Sequence, residues 1–285
     1  MVIEVGLGGY LLWTAVAREV YKKYDKVSLP YENHGQHNVM VQSAVFQNNP
    51  HIFQENPVGK EHTFFPLQLN NKETNYCKED TPVRAIHRYD KHMIAQACEY
   101  YDIQKPELKC EIYFSEDEKK LAKATAKTLE KDFILIEPYS KTNYTPNRAY
   151  PYDKWQKVVD DLSNDYQVVQ IGAPNTRILD NVTDLTGKTS FRIASKLMEY
   201  SKLFLSTEGG LSHAATTVDS NTLIILTGYQ SPEMVCYPQN NYINIASHGP
   251  CGLKIECPEC EEDSASHDVR EIIEKARSLL NEKNY

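Results

Sequence analysis

The sequence is short of several features that would assign a function at once. No cluster of Lys or Arg is dense enough to form a stripe for a polyanion, and the 285 residues carry a formal charge of -8 with a pI near 5.6. That argues against broad nucleic-acid binding and leaves room for a local phosphate pocket. No apolar run approaches the length of a membrane span, and Met1 leads straight into VIEVGLGG without the basic flank and cleavage site of a signal peptide. A cytoplasmic location is expected. The seven cysteines suit that reducing setting as thiols, and Cys77, Cys98, Cys110 and Cys236 are scattered. The glycines of GLGG fall short of a dinucleotide fingerprint, because Leu11 stands where the third glycine would be.

What is present is a repeated alternation. At 32.7 kDa the chain is long enough for two domains. Residues 2–5 read as a strand, Gly6, Gly8 and Gly9 as a turn, and Leu11 to Val20 as a helix; further strands are expected at 27–29 and 110–114, a short element at 39–46, loops with short strands (63–69 among them) over 48–84, and a helix at 92–101. Ser115 followed by Glu118 is a capping-box pattern opening a helix to about Lys131. This suggests an N-terminal domain over 1–115, a linking helix over 116–131 and a C-terminal domain over 132–285. In the last, strands at 133–136, 167–171, 203–205 and 222–226 alternate with helices at 152–162, 191–200 and 211–218. Residues 184–187 add a short strand and turn, and a closing helix is expected at 268–280. The class is α/β with a parallel sheet, whose ligands bind beyond the carboxyl ends of the strands.

The loops at that edge carry the chemistry. In residues 202–217, KLFLSTEGGLSHAATT, an apolar strand stops at Ser206, passes Glu208, Gly209 and Gly210, and restarts at helical spacing from Leu211. Unpaired amides at Gly210 to Ser212 would suit an anion, the paired Gly209 and Gly210 let the backbone approach it, Glu208 can accept from hydroxyls, and His213 falls in the first helical turn. Alone this is a common strand-to-helix turn. The loop after Ile136 brings Ser140, Lys141, Thr142, Asn143 and Arg148 to the same edge, the residue types that hold phosphate.

The same residues resemble glycosyltransferase family nine, the heptosyltransferase-like enzymes. STEGGLSHAA followed by NTLIILTGYQSPEMVCYP resembles the family's donor-site motif, in the Glu-Gly-Gly-Leu-x-His form. RAYP resembles its Lys-x-Trp-Pro with Arg148 at the Lys position, and DLTGKTSFRIAS its next turn and helix. GLGGYLLWTAVAR resembles the opening Gly-x-Gly-Asp loop and helix; NPHI and EIYFSEDE resemble further stretches of that subgroup. The likeness covers most of the chain and is strongest over 111–260. It implies a GT-B architecture, two Rossmann-like domains facing across a cleft, and an inverting, metal-independent transfer of a sugar, heptose among the options, from a nucleotide diphosphate. The implied donor is ADP-linked, and the implied acceptor is a lipopolysaccharide core or other surface glycan reached from the inner face of the membrane. Gly8 and Gly9 then form the acceptor-side loop, and Gly9 stands where the family carries an aspartate base. Glu4, His34, His37 and Asp90 are the remaining candidates for that base. A sugar-nucleotide-binding protein without turnover and a GT-B epimerase are the alternatives.

CGLKIECPEC resembles a cysteine tail of some members. Cys251, Cys257 and Cys260 supply three soft ligands, and His248 or His267 a fourth, for a structural metal; the second cysteine pair of a zinc ribbon is absent. No catalytic metal or cofactor is expected.

Overall fold

The computed structural model describes residues 6–55, 63–129, 132–140 and 144–282. The strand expected over 2–5, Glu4, Lys141, Thr142 and Asn143, and residues 130–131 lie outside these residues; the helix expected to reach about Lys131 already ends at Lys127, with Thr128 as its C-cap. The N-terminal part begins with α1 (Leu7–Tyr24), followed by β1 (Ser28–His34), β2 (His37–Met40), β3 (Phe65–Gln68), the hairpin β4 (Cys77–Asp80) and β5 (Ala85–His87), and α2 (Met93–Tyr100). β1 pairs antiparallel with β2 and parallel with β3. Then comes α3 (Glu116–Lys127), whose capping box is present as expected: the Ser115 hydroxyl accepts from Glu118 N at 3.2 Å and Glu118 Oε2 from Ser115 N at 2.8 Å.

The rest is regular: β6 (Phe133–Glu137), α4 (Tyr152–Leu162), β7 (Gln167–Gln170), β8 (Thr183–Asp184), α5 (Phe191–Leu197), β9 (Leu203–Thr207), α6 (Gly210–Ala214), β10 (Thr222–Leu226), α7 (Pro232–Val235), β11 (Asn241–Asn244), α8 (Pro258–Ser266) and α9 (Arg270–Glu282). Six strands form one parallel sheet in the order β11-β10-β9-β6-β7-β8. Its central strands β6, β9 and β10 are buried along their length because both faces are covered, and apolar except at their ends. Alternate residues point to opposite faces. Ile134, Ile136, Leu203, Leu205, Leu223 and Ile225 pack with Trp155 of α4 and Ile272 of α9. Phe133, Leu135, Phe204 and Ile224 turn the other way, into a core shared with Leu11, Val16 and Val20 of α1 and Ile94 and Ala97 of α2.

Two expectations are corrected. Gly8 and Gly9 lie inside the first turn of α1 instead of a loop before it. Residues 110–114 form no strand, and the first two amides are taken by side-chain hydroxyls: Cys110 N donates to Thr216 Oγ1 at 3.1 Å and Glu111 N to Thr14 Oγ1 at 2.8 Å. The β4–β5 hairpin, β11, α7 and α8 are additions to the elements expected from sequence. Among the described residues no helix is long and apolar enough to cross a membrane.

The start of α1 sits against the start of α6. A methyl on Gly8 would stand 3.0 Å from Gly210 Cα and 3.2 Å from His213 Cδ2. Gly8→Ala should therefore cost about 1–3 kcal/mol through overpacking, against a helix-propensity gain of about 1 kcal/mol. Urea unfolding of the two proteins checks the sign; a variant as stable as the parent would show that the contact yields.

Candidate functional site

β6, β9 and β10 are neighbours in the sheet; β6 ends on Glu137 and β9 on Ser206 and Thr207, all polar, and Thr227 follows the last residue of β10. Glu137 pairs in register with Ser206, so the two lie next to each other at the carboxyl edge. Glu137 Oε2 and Ser140 Oγ, with Ser206 Oγ and Thr207 Oγ1 of β9 and Gln230 Oε1 and Ser231 Oγ of the segment after β10, are buried without a hydrogen-bond partner among the described residues. Buried polar atoms are almost always satisfied, so these groups set the edge apart from an ordinary apolar interior.

Beside them lies a buried charge cluster. Arg148 Nε is 2.5 Å from Glu208 Oε2, but its N–H is not aligned on that oxygen, so the contact is ionic and not a directed hydrogen bond. His213 Nε2 stands 3.6 Å from Glu208 Oε1. Burial alone would raise the Glu208 pKa; Arg148 and then His213 outweigh it and hold the carboxyl below its ordinary value. The far ring nitrogen of His213, Nδ1, is 3.0 Å from the Tyr237 hydroxyl, itself 3.3 Å from Cys110 Sγ. Two further histidines stay neutral: burial and Arg148 push His87 down to about 4, and burial and His213 push His92 down to about 3. The Arg148 guanidinium lies 4.7 Å above the Tyr229 ring and 5.9 Å from that of Tyr144.

The structure thus brings Ser140, Arg148, Glu208, Gly209, Gly210, Ser212 and His213 together, with Gly8 against them, but differs from the expected open anion cradle. α6 is only five residues long, and the Gly209 amide donates to Ser212 Oγ at 3.1 Å. Gly209 abuts Ser140, where a Cβ would meet Ser140 Cβ at 2.7 Å, and Gly210 abuts Phe191 and Gly8. The paired glycines let protein segments approach one another. Leu211 is buried in the shared core. None of the described contacts joins the base candidates to this cluster: His34, exposed, lies 3.2 Å from Glu32 on the β1–β2 hairpin with His37, and Asp90 is gripped by Arg88 at 2.6 and 2.8 Å.

Glu137 is the edge residue that sequence reasoning passed over. Its signal was an acid ending the apolar strand FILIE. Burial alone pushes its pKa up to about 8, so it is largely a neutral acid at pH 7. A raised carboxyl pKa means that the folded state holds a proton the unfolded state has released. This group's contribution is therefore most favourable below about 4.5, the unfolded value, and is lost as pH rises towards about 8, by at most about 1.4 kcal/mol per pH unit. Glu137→Gln should remove that slope, raising Tm by a few degrees at pH 8 and little at pH 4.5. Parallel Tm–pH curves for the two proteins would show the carboxyl to be solvated.

A second cluster follows β10. His248 Nε2 is 3.5 Å from Cys260 Sγ, the Cys260 thiol donates to Cys251 Sγ at 3.5 Å, and the ligand atoms of His248, Cys257 and Cys260 all lie within 4.8 Å of one another. The Cys260 thiol's hydrogen bond draws the Cys251 pKa down to about 6. Asp263 Oδ2 sits 2.9 Å from His248 Nδ1, the carboxylate partner that orients metal-binding histidines. His267 is engaged elsewhere, with Tyr150 and Glu271, which leaves His248 as the imidazole of the group. Three thiols and an imidazole fit a tetrahedral thiophilic ion.

The sequence profile of glycosyltransferase family 9 (heptosyltransferase) matches residues 22–263. Comparison with curated protein sequences gives no match. Among solved structures the chain is similar to a family 9 glycosyl transferase from Veillonella parvula, at 14% identity and a TM-score of 0.66, over 98% of this chain and 95% of that one. It is also similar to E. coli ADP-heptose lps heptosyltransferase II, at 12% identity and a TM-score of 0.65, over 98% and 97%. A third is the iron-containing dodecameric glycosyltransferase TibC of enterotoxigenic E. coli, at 16% and 0.64, over 96% and 74%. At these identities the likeness establishes the fold, the α/β GT-B architecture.

Proposed function

The chain belongs to glycosyltransferase family 9, and from that premise we propose that it transfers a sugar from a nucleoside-diphosphate donor to a lipopolysaccharide or other surface-glycan acceptor. The observation that carries this reading is the set of partnerless polar groups beside Arg148, Glu208 and His213 at the carboxyl edge of the parallel sheet. The donor's hydroxyls and phosphates would satisfy them. Ser140, Lys141, Arg148 and residues 208–213 form the donor site, in a C-terminal domain over 132–285 joined through 116–131 to an acceptor-side domain over 1–115. Departure of a nucleoside diphosphate builds negative charge, and Arg148 answers it by exchanging Glu208 for phosphate oxygen. The reaction on this reading is inverting and needs no catalytic metal, and it takes place at the cytoplasmic face of the membrane. An ion at Cys251, Cys257, Cys260 and His248 is structural; TibC, which contains iron, is the neighbour that favours this assignment.

A nucleotide panel tests the donor site. ADP is the first choice, since a structural neighbour is an ADP-heptose enzyme. At about a hundred times its Kd it should add about 2.7 kcal/mol, a Tm rise of several degrees, equally with and without added magnesium, and adenosine should have no such effect. Stabilisation by no nucleoside diphosphate, or only with magnesium, would sink the assignment.

Gly9 favours a second reading, a binder of sugar nucleotides with little turnover. Gly9 is not among the positive-φ glycines and sits in the first helical turn, where an acid is favoured. Gly9→Asp should therefore be tolerated and raise transfer about a hundredfold at unchanged donor affinity. A parent protein that already turns over at about 10 s⁻¹, the middle of the enzyme range, would refute the idea that an acid is missing there.

A further inference from the structure

Asn147, next to Arg148 on the 3-10 turn Pro146–Arg148, commits its side chain to the cysteine loop. Its Nδ2 donates to Leu253 O at 2.9 Å and Ile255 O at 2.8 Å, and its Oδ1 accepts from Cys257 N at 3.0 Å. The Thr145 hydroxyl donates to Leu253 O at 2.7 Å, and the Thr227 hydroxyl to Asn147 O at 2.7 Å. The Arg148 turn is thereby stitched to the loop that carries Cys251 and Cys257. On its other side the same loop holds the β4–β5 hairpin: Ala85 N donates to Gly252 O at 2.8 Å, Lys254 N to Val83 O at 2.8 Å, and Lys254 pairs with Asp80.

This loop has little of its own to hold its shape. Residues 247–257 contain neither helix nor paired strand beyond one isolated bridge, Arg84 to Leu253. Their apolar cluster is Tyr229 with Cys251, Cys257 and Cys260, and Tyr144 and Leu253 at its margin. Few buried apolar groups give little hydrophobic stabilisation, and small units of this kind are ordinarily fixed by a disulfide or a metal. No disulfide joins these cysteines. Gly228, at a φ of +99°, lies under the cluster with space for no Cβ: one would meet Cys260 Sγ at 3.0 Å and His248 Cε1 at 3.3 Å. The end of β10 is therefore packed directly against the ligand side chains.

We infer that an ion bound by His248, Cys251, Cys257 and Cys260 is a brace for the donor site: it fixes the loop to which Asn147 is bonded, and so holds Arg148 where a nucleoside diphosphate binds. Asn147 is then a positioning residue, acting through Arg148. The inference rests on the donor-site and metal readings above. Zinc or ferrous iron suits the ligand set, and cobalt(II) is the spectroscopic probe, since thiolate coordination gives it intense near-ultraviolet bands.

The test measures three quantities on the full chain: cobalt uptake, the ADP dissociation constant by calorimetry, and amide exchange over 144–150. Each is measured on loaded and chelator-stripped protein, for the parent and for Asn147→Ala. Stripping the parent should weaken ADP about tenfold and speed exchange over 144–150. Asn147→Ala should keep one equivalent of cobalt with the parent spectrum, yet bind ADP about tenfold more weakly, and stripping it should add no more than about twofold. Thr145→Val, which removes one hydroxyl, is the milder variant if Asn147→Ala does not fold, with an expected loss of about threefold. Absence of cobalt uptake overturns the brace, as does ADP affinity indifferent to both stripping and Asn147→Ala. If no form binds ADP while exchange over 144–150 still responds to the metal, the donor reading fails and the brace stands.

Discussion

A carboxylate withdrawn from water at the end of a sheet has to be matched, and the site is built around that requirement. Glu208 follows β9 in a place where burial by itself raises its pKa; the Arg148 guanidinium, with His213 behind it, outweighs that and holds the carboxyl below its ordinary value. Removing one partner of such a pair typically costs about 3–5 kcal/mol, because the other is left buried and uncompensated. The surroundings serve the pair. Tyr229 supplies a ring face to the cation, Asn147 anchors its backbone, and the His213–Tyr237–Cys110 chain stands on the carboxylate's other side. On the donor reading proposed above, Arg148 is both the partner that stabilises Glu208 and the cation that meets the phosphate, and the two roles compete for one side chain.

The C-terminal sheet was legible in the sequence because its signals are local. Apolar runs of strand length, separated by amphipathic helices, are found where the strands and helices lie, and Ser115 with Glu118 capped α3 as their spacing implied. The edge residues Arg148, Glu208 and His213 were legible for the same reason, since a parallel sheet delivers the ends of its strands to one line. What could not be read depends on partners distant in sequence. Glu137 was one acid among many until register placed it beside Ser206 with no partner. The choice of His248 over His267 rests on which one is already bonded to Tyr150. Residues 110–114 read as a strand, yet hydroxyls from Thr216 and Thr14 take the amides of Cys110 and Glu111, and no periodicity encodes that.

The glycines taught a related lesson. Gly-Gly before a helix is commonly read as open ground for an oxygen-rich ligand. Here Ser140 fills the space at Gly209, and Gly8 and Phe191 fill it at Gly210. The missing side chains serve first to let α1 and α6 meet. Arg192 works in the same direction from α5, gripping Glu118 at 2.5 and 2.8 Å and the carbonyls of Ala44 and Tyr113 at 3.0 and 2.7 Å. A single guanidinium, buried among four acceptors from three segments, ties α3 and the segments at Ala44 and Tyr113 to α5.

The apolar core that runs from α1 and α2 to one face of the parallel sheet has a thermodynamic corollary. Two lobes with separate cores can melt one after the other. Where Leu11, Ile94, Phe133 and Phe204 share one interior, that interior belongs to neither lobe, and losing it from either side exposes both. A change at Val16 and a change at Leu135 therefore disturb one and the same interior, although they lie on opposite sides of it.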